Sequence, residues 1–185
     1  MDLYTQLCQD IKGCQRCTLS QSRQHVVVGE GSLTADVMLI GEGPGADEDR
    51  LGRPFVGRAG QLLDRILEAV DINREEIYIA NILKCRPPGN RNPQDGEAHA
   101  CLPYLRRQVK IIRPKILVCM GSVAAKYIID PDAKISRIRG QFIERKGFYL
   151  FGTYHPAALL RNERLKVDAW HDFKAIKAKS LELKD

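Results

Sequence analysis

The sequence predicts an α/β fold: a mainly parallel sheet covered by helices on both faces. Three observations carry this. Short apolar runs alternate with amphipathic stripes along the 185 residues, the order that builds parallel sheets from strand–helix–strand units. Four chemically distinctive residues, Glu42, Asn81, Ser122 and His155, each follow an apolar run, and in such folds chemistry gathers at the carboxyl ends of the strands. The length and the 44% hydrophobic content suit one well-buried domain over residues 1–185 rather than two.

The elements follow in order. Leu3, Leu7 and Ile11 recur at spacing four, a short amphipathic helix. Val37 to Ile40 is the first buried strand, and Leu62, Leu63, Ile66, Leu67 and Val70 form a helical stripe behind Gly60. Ile77 to Ala80 is the second strand. Ala98, Leu102, Leu105, Val109 and Ile112 mark a longer helix stopped by Pro114. Ile116 to Met120 is the third strand, with a helix behind Gly121-Ser122. Tyr149 to Tyr154 is the fourth, running into His155-Pro156, and Leu165, Ala169, Phe173 and Ile176 mark a closing helix. The stretch from Arg86 to Asp95, with three prolines, is an ordered loop.

The first strand runs straight into Gly41-Glu42-Gly43-Pro44-Gly45-Ala46-Asp47-Glu48-Asp49. Glycines and proline make a tight turn that lets backbone approach a ligand closely. Four carboxylates are a poor lining for an anion pocket, which argues against a nucleotide-phosphate loop. Asp47, Glu48 and Asp49 read well as acids at the start of the next helix. Glu42 fits that reading less well, and an acid at a strand end is placed to activate water or stabilise a cation.

Charge adds a second theme. The formal net charge is +6, and no acid falls between Glu97 and Asp130, whereas Arg106, Arg107, Lys110, Arg113, Lys115 and Lys126 do. Lys134, Arg137, Arg139, Arg145 and Lys146 form another basic cluster. Such stretches serve either as solvated faces or as a nucleic-acid footprint. No apolar run approaches the ~20 residues of a membrane span, and the N-terminus lacks the basic and apolar regions of a signal peptide. A cytoplasmic monomer with no membrane contact is expected.

Six cysteines in such a chain read as ligands or packed thiols rather than disulfides. Cys14 and Cys17 are separated by two residues, and Cys85 and Cys101 flank the proline-rich loop. Four thiolates suit tetrahedral zinc or an iron–sulfur cluster, and spacing does not decide between them. The long second interval is unlike a zinc knuckle and tilts the choice toward a cluster. Cys8, on the first helix, and Cys119, in a strand, read as packed thiols.

Together these features resemble the family 4 uracil-DNA glycosylases, the iron–sulfur type of bacteria and archaea. The matching motifs are Gly41-Glu42-Gly43-Pro44-Gly45, the run from Gly52 through Phe55 to Gly60, the run from Asn81 through Lys84-Cys85 to Arg91, and His155-Pro156-Ala157-Ala158-Leu159-Leu160-Arg161. Asp47 stands where many relatives carry glutamate. The resemblance implies a three-layer α/β/α fold on a four-stranded parallel sheet, and a 4Fe–4S cluster on Cys14, Cys17, Cys85 and Cys101. It implies a repair enzyme that flips uracil out of single- or double-stranded DNA and hydrolyses its glycosidic bond. A related group attaches to DNA through a histidine in an Arg-Ile-His loop; that sequence is missing between Cys85 and Cys101, so covalent capture is not expected.

Roles follow from chemistry and resemblance together. Glu42 and His155 are the expected catalytic pair, one for water and the sugar cation, the other for uracil O2. Gly41, Gly43, Phe55, Asn81 and His155 would hold uracil, with Phe55 stacking on the base and the Asn81 amide reading its O4 and N3–H. Leu159, Leu160 and Arg161 would enter the minor groove, and Arg86 and Arg91 would hold phosphates. The competing expectation is a nonenzymatic iron–sulfur module that binds nucleic acid beside a polymerase.

Overall fold

The computed structural model describes residues 2–184. Six strands form one sheet: β1 (Glu30–Gly31), β2 (Val37–Gly41), β3 (Tyr78–Asn81), β4 (Ile116–Met120), β5 (Phe142–Arg145) and β6 (Phe148–Thr153). Their spatial order is β1-β3-β2-β4-β6-β5. The inner four run parallel, and β1 and β5 pair antiparallel at the two edges. The four strands read from the sequence are thus the parallel centre, and the expected four-stranded sheet is corrected to six. The edge strands gave no apolar signal because β1 has only two residues and β5 is half-buried at best.

Nine helices among the described residues cover the sheet: α1 (Leu3–Lys12), α2 (Leu19–Ser22), α3 (Ala46–Leu51), α4 (Arg58–Ala69), α5 (Asp95–Ile112), α6 (Ser122–Ile128), α7 (Ile135–Ile138), α8 (Pro156–Arg161) and α9 (Lys166–Glu182). Successive strand residues point to opposite faces. Met38, Ile40, Tyr78, Leu117 and Cys119 therefore pack with Leu102 and Leu105 of α5 and Ala124 and Ala125 of α6. Leu39, Ile79, Val118 and Phe151 pack on the other side with Leu63 and Leu67 of α4 and Phe173 and Ile176 of α9. The result is three layers, α/β/α. A separate cluster joins Leu7, Ile11, Leu19, Leu83 and Tyr104 beside the cysteines.

Local chemistry sets the ends of these helices. The Asp2 carboxylate accepts the Thr5 N–H at 2.9 Å and starts α1. The Glu97 carboxylate accepts the Gln94 N–H at 2.9 Å and starts α5, which ends at Arg113 in the left-handed region, just before Pro114. Parallel register then aligns the strand ends: Gly41 lies opposite Asn81, Ile40 opposite Cys119, and Met120 opposite Thr153. Among the described residues no helix is long and apolar enough to cross a membrane.

Candidate active site

A cleft of about 660 Å3 opens at this common edge, and Glu42, Asn81, Ser122 and His155 all line it, together with Gly43, Phe55 and Arg161. Four strand ends far apart in sequence thus converge on one cavity. Gly41 sits beneath: a Cβ there would stand 2.4 Å from Asn81 Oδ1 and 2.7 Å from Phe55 Cζ. Only glycine lets the amide and the ring approach the turn so closely.

The turn separates the roles of its acids. Glu48 Oε1 accepts the N–H groups of Val56 and Gly57 at 2.9 and 2.8 Å, and Oε2 accepts that of Gly45 at 3.1 Å. This carboxylate ties the Glu42 turn to the Phe55 loop. Asp49 is buried and accepts the N–H of Gln24 at 2.9 Å, anchoring the segment after Cys17. Asp47 is exposed and pairs with Arg50 at 3.1 Å. No comparable partner holds the Glu42 carboxylate among the described residues. Burial pushes its pKa above the usual carboxylate range, and Arg161 opposes the shift.

His155 precedes α8, and its Nδ1 accepts the Ala157 N–H at 3.0 Å. An accepting Nδ1 in a neutral ring leaves the proton on Nε2. Burial pushes the imidazole pKa down to about 4, helped by Arg161 and opposed by Glu48, so at neutral pH the ring is an uncharged donor. The Phe55 ring lies 5.5 Å from it, centroid to centroid, at 34°. On the preceding strand the Thr153 hydroxyl donates to Asp172 Oδ2 at 2.7 Å, and Arg139 grips the same carboxylate at 2.6 and 3.0 Å.

Phe55 is held in the left-handed region at φ +50°, an uncommon setting for a bulky residue. Arg74 clamps it there, donating to the carbonyls of Pro54 at 2.7 Å and Phe55 at 3.0 Å, while Glu30 and Asp64 hold the guanidinium. A Cβ at Gly60 would stand 2.0 Å from the Phe55 carbonyl oxygen. Asn81 is buried, and its Oδ1 has no hydrogen-bond partner. An orphaned buried acceptor at a cleft wall calls for a donor from a ligand.

The outer residues divide. Leu159 is fully buried with Leu62 and Ala169, which corrects its expected place in the minor groove: the turn of α8 points it into the core. Leu160 is half-buried and Arg161 exposed on the same helix. Arg91 donates to both oxygens of buried Glu97 at 2.7 and 2.9 Å, so its charge is committed to α5. Arg86 donates to Asn90 Oδ1 at 2.7 Å.

Cys14, Cys17, Cys85 and Cys101 line a second, mostly apolar cavity with Ile11, Leu83 and Tyr104. N–H donors already face three of the sulfurs: Arg16 main chain to Cys14 at 3.5 Å, Arg23 guanidinium to Cys85 at 3.2 Å, and Lys84 main chain to Cys101 at 3.3 Å. Burial raises the Cys85 thiol and takes Cys101 up to about 11, with Arg23 and Lys84 opposing; a bound metal would deprotonate both. Among the described residues no group of three or more His, Cys, Asp or Glu is close enough to hold one metal ion. Four sulfurs around one cavity, with N–H donors facing three of them, fit a multi-iron cluster.

Sequence reasoning missed Arg74, Asp172 and Lys84. Only Lys84 left a signal, through its place inside the Asn81–Arg91 motif.

Comparison with known proteins identifies the family. Residues 28–174 match the uracil DNA glycosylase superfamily. A type-4 uracil-DNA glycosylase of Sulfurisphaera tokodaii is 41% identical over 96% of this chain and 84% of its own length. Its counterpart in Archaeoglobus fulgidus is 40% identical over 95% and 92%, and that of Thermotoga maritima 45% identical over 82% and 80%. With matches of this extent, the chain belongs to the type-4 branch of the uracil DNA glycosylase superfamily.

Proposed function

We propose that the protein is a monofunctional uracil-DNA glycosylase that binds a flipped uracil in the strand-end cleft and hydrolyses its N-glycosidic bond, leaving an abasic site. The observation that carries this is the orphaned Asn81 Oδ1 in a cleft shared with the Phe55 ring and the neutral His155. Uracil offers an N3–H donor beside its O4 acceptor, which a single amide satisfies at once, whereas cytosine presents the opposite pattern. Phe55 stacks on the base.

As the bond between C1′ and N1 breaks, its electron pair leaves with uracil and positive charge grows on the sugar. The His155 Nε2–H donates to O2, where the departing charge collects. Glu42 orients a water toward C1′ and stabilises the cation; the water oxygen bonds C1′, its proton passes to the carboxylate, and uracil leaves as an anion that solvent protonates. Leu160 and Arg161 occupy the space the base vacates, and Arg86 and the basic stretches meet phosphates. One sheet with covering helices from Leu3 to Glu182 supports a single working unit, which we place in the cytoplasm as a monomer.

A 4Fe–4S cluster on Cys14, Cys17, Cys85 and Cys101 would supply a cross-link and a compact negative charge. None of these four cysteines lines the cleft, and no step passes through the cluster. A brown protein with about four irons per chain is expected. Cys101→Ala should bleach it and lower Tm; a colourless wild type carrying stoichiometric zinc would overturn the cluster.

Release of uracil from a labelled oligonucleotide tests the activity itself. Excision from single-stranded or mismatched DNA is expected, falling steeply with salt as phosphate contacts are screened. Salt-sensitive binding without release would return the nonenzymatic module.

A further inference from the structure

Lysine is almost never fully buried without a charged partner, yet Lys84 is 1% exposed. Among the described residues no carboxylate pairs with it, and the groups whose charge favours its ammonium are the Cys101 and Cys85 sulfurs. Its ammonium donates instead to the Asn81 carbonyl at 3.0 Å and to Gln108 Oε1 at 2.7 Å. Gln108 is fixed in turn by Nε2 donation to the Val28 carbonyl at 2.8 Å and the Tyr78 hydroxyl at 3.0 Å, and Tyr78 meets Tyr4 at 2.8 Å. The network therefore runs from α1 and α5 to the end of β3. On its other side the same segment is bonded to the catalytic turn, Ile82 N–H to the Gly41 carbonyl and Leu83 N–H to the Glu42 carbonyl, both at 3.0 Å. The Lys84 main-chain N–H donates to the Cys101 sulfur.

We propose that Lys84 is a positioning residue for uracil recognition: its ammonium fixes the main chain of Asn81 while its N–H rests on Cys101, so that one residue links the thiol cavity to the amide that reads the base. A methionine would fill the same space without the desolvation cost of a cation. What the cation adds is two directed donors that pull the Asn81 carbonyl and the α5 side chain of Gln108 to a fixed separation. The Asn81 amide acts only if its two hydrogen bonds meet uracil in register, and a small error in such a constellation weakens recognition strongly. The inference rests on the uracil reading above.

The test uses iron-loaded Lys84→Met. Three quantities are measured: iron per chain, affinity for free uracil by titration calorimetry, and the ratio of uracil to cytosine release. Iron content and affinity for uracil-free DNA should stay within about twofold, whereas uracil affinity and the release ratio should each fall about tenfold or more, as expected when a buried hydrogen bond is misaligned. Wild-type uracil affinity in this variant would overturn the inference, as would iron and uracil affinity falling in parallel. If Lys84→Met does not fold, Gln108→Leu carries the test: the lysine loses one acceptor, uracil affinity should drop several-fold with iron retained, and an unchanged affinity would overturn it equally. A wild type that neither binds nor releases uracil defeats the proposed function itself. A wild type that does both, beside an indistinguishable variant, defeats only the role of Lys84.

Discussion

Glu42→Gln is expected to lower the single-turnover rate of uracil release by about 10²–10⁴-fold, the usual contribution of a positioned base, with little change in DNA affinity. The amide keeps the shape of the carboxylate and removes its charge. The pH profile supplies a second readout. Burial raises the Glu42 pKa, so its carboxylate is present above that raised value and is lost as pH falls through it. His155 stays neutral until about pH 4. The acid limb of the wild-type rate should therefore follow Glu42, and in Glu42→Gln what remains should extend down toward pH 4. Arg161 opposes the Glu42 shift, so Arg161→Met should move the limb to higher pH. A Glu42→Gln enzyme with the wild-type rate and limb would remove this residue from the chemistry. Glu48 is a poor substitute, because three N–H groups already occupy its carboxylate.

His155 does two jobs that substitution can separate. Its Nδ1 caps α8, and its Nε2–H faces the proposed uracil O2. His155→Ser keeps a good capping side chain and loses the distant donor. The rate should fall by about 10²–10³-fold, as when one oxyanion donor is removed, with Tm nearly unchanged. His155→Ala should lose the same rate and also about 1 kcal/mol of stability from the missing cap. Stopped-flow or quench kinetics beside thermal melts distinguish the two. A serine variant as fast as wild type would leave His155 only its structural role.

The four inner strands were legible because each is buried on both faces and reads as an unbroken apolar run. Val37–Gly41 and Ile116–Met120 fall where the sequence put them, within a residue. β5 was not legible, since an edge strand such as Phe-Ile-Glu-Arg has half its residues in solvent and no run to show. In the site, Glu42, Asn81, Ser122 and His155 were found because strand ends are a topological landmark. Those that act through another group were not. Arg74 reaches Phe55 from nineteen positions away, and Asp172 reaches Thr153 from the same distance; nothing local marks either. Leu159 was misplaced because a short apolar pair gives no phase: only the turn of α8 decides which leucine faces inward.

The thiol cavity also imposes an order in time. Its first two walls, Cys14 and Cys17, leave the ribosome early, but Cys101 follows 84 residues after Cys17. At synthesis rates of about 5–20 residues per second, that is a delay of about 4–17 s. Through this interval the nascent N-terminal segment carries two thiols with no cavity to close and no α5 to pack against. Until α5 is made, Leu7, Ile11 and Leu19 lack the Tyr104 side of their cluster, so the N-terminal segment should be open to proteolysis on the nascent chain and protected only once α5 has docked.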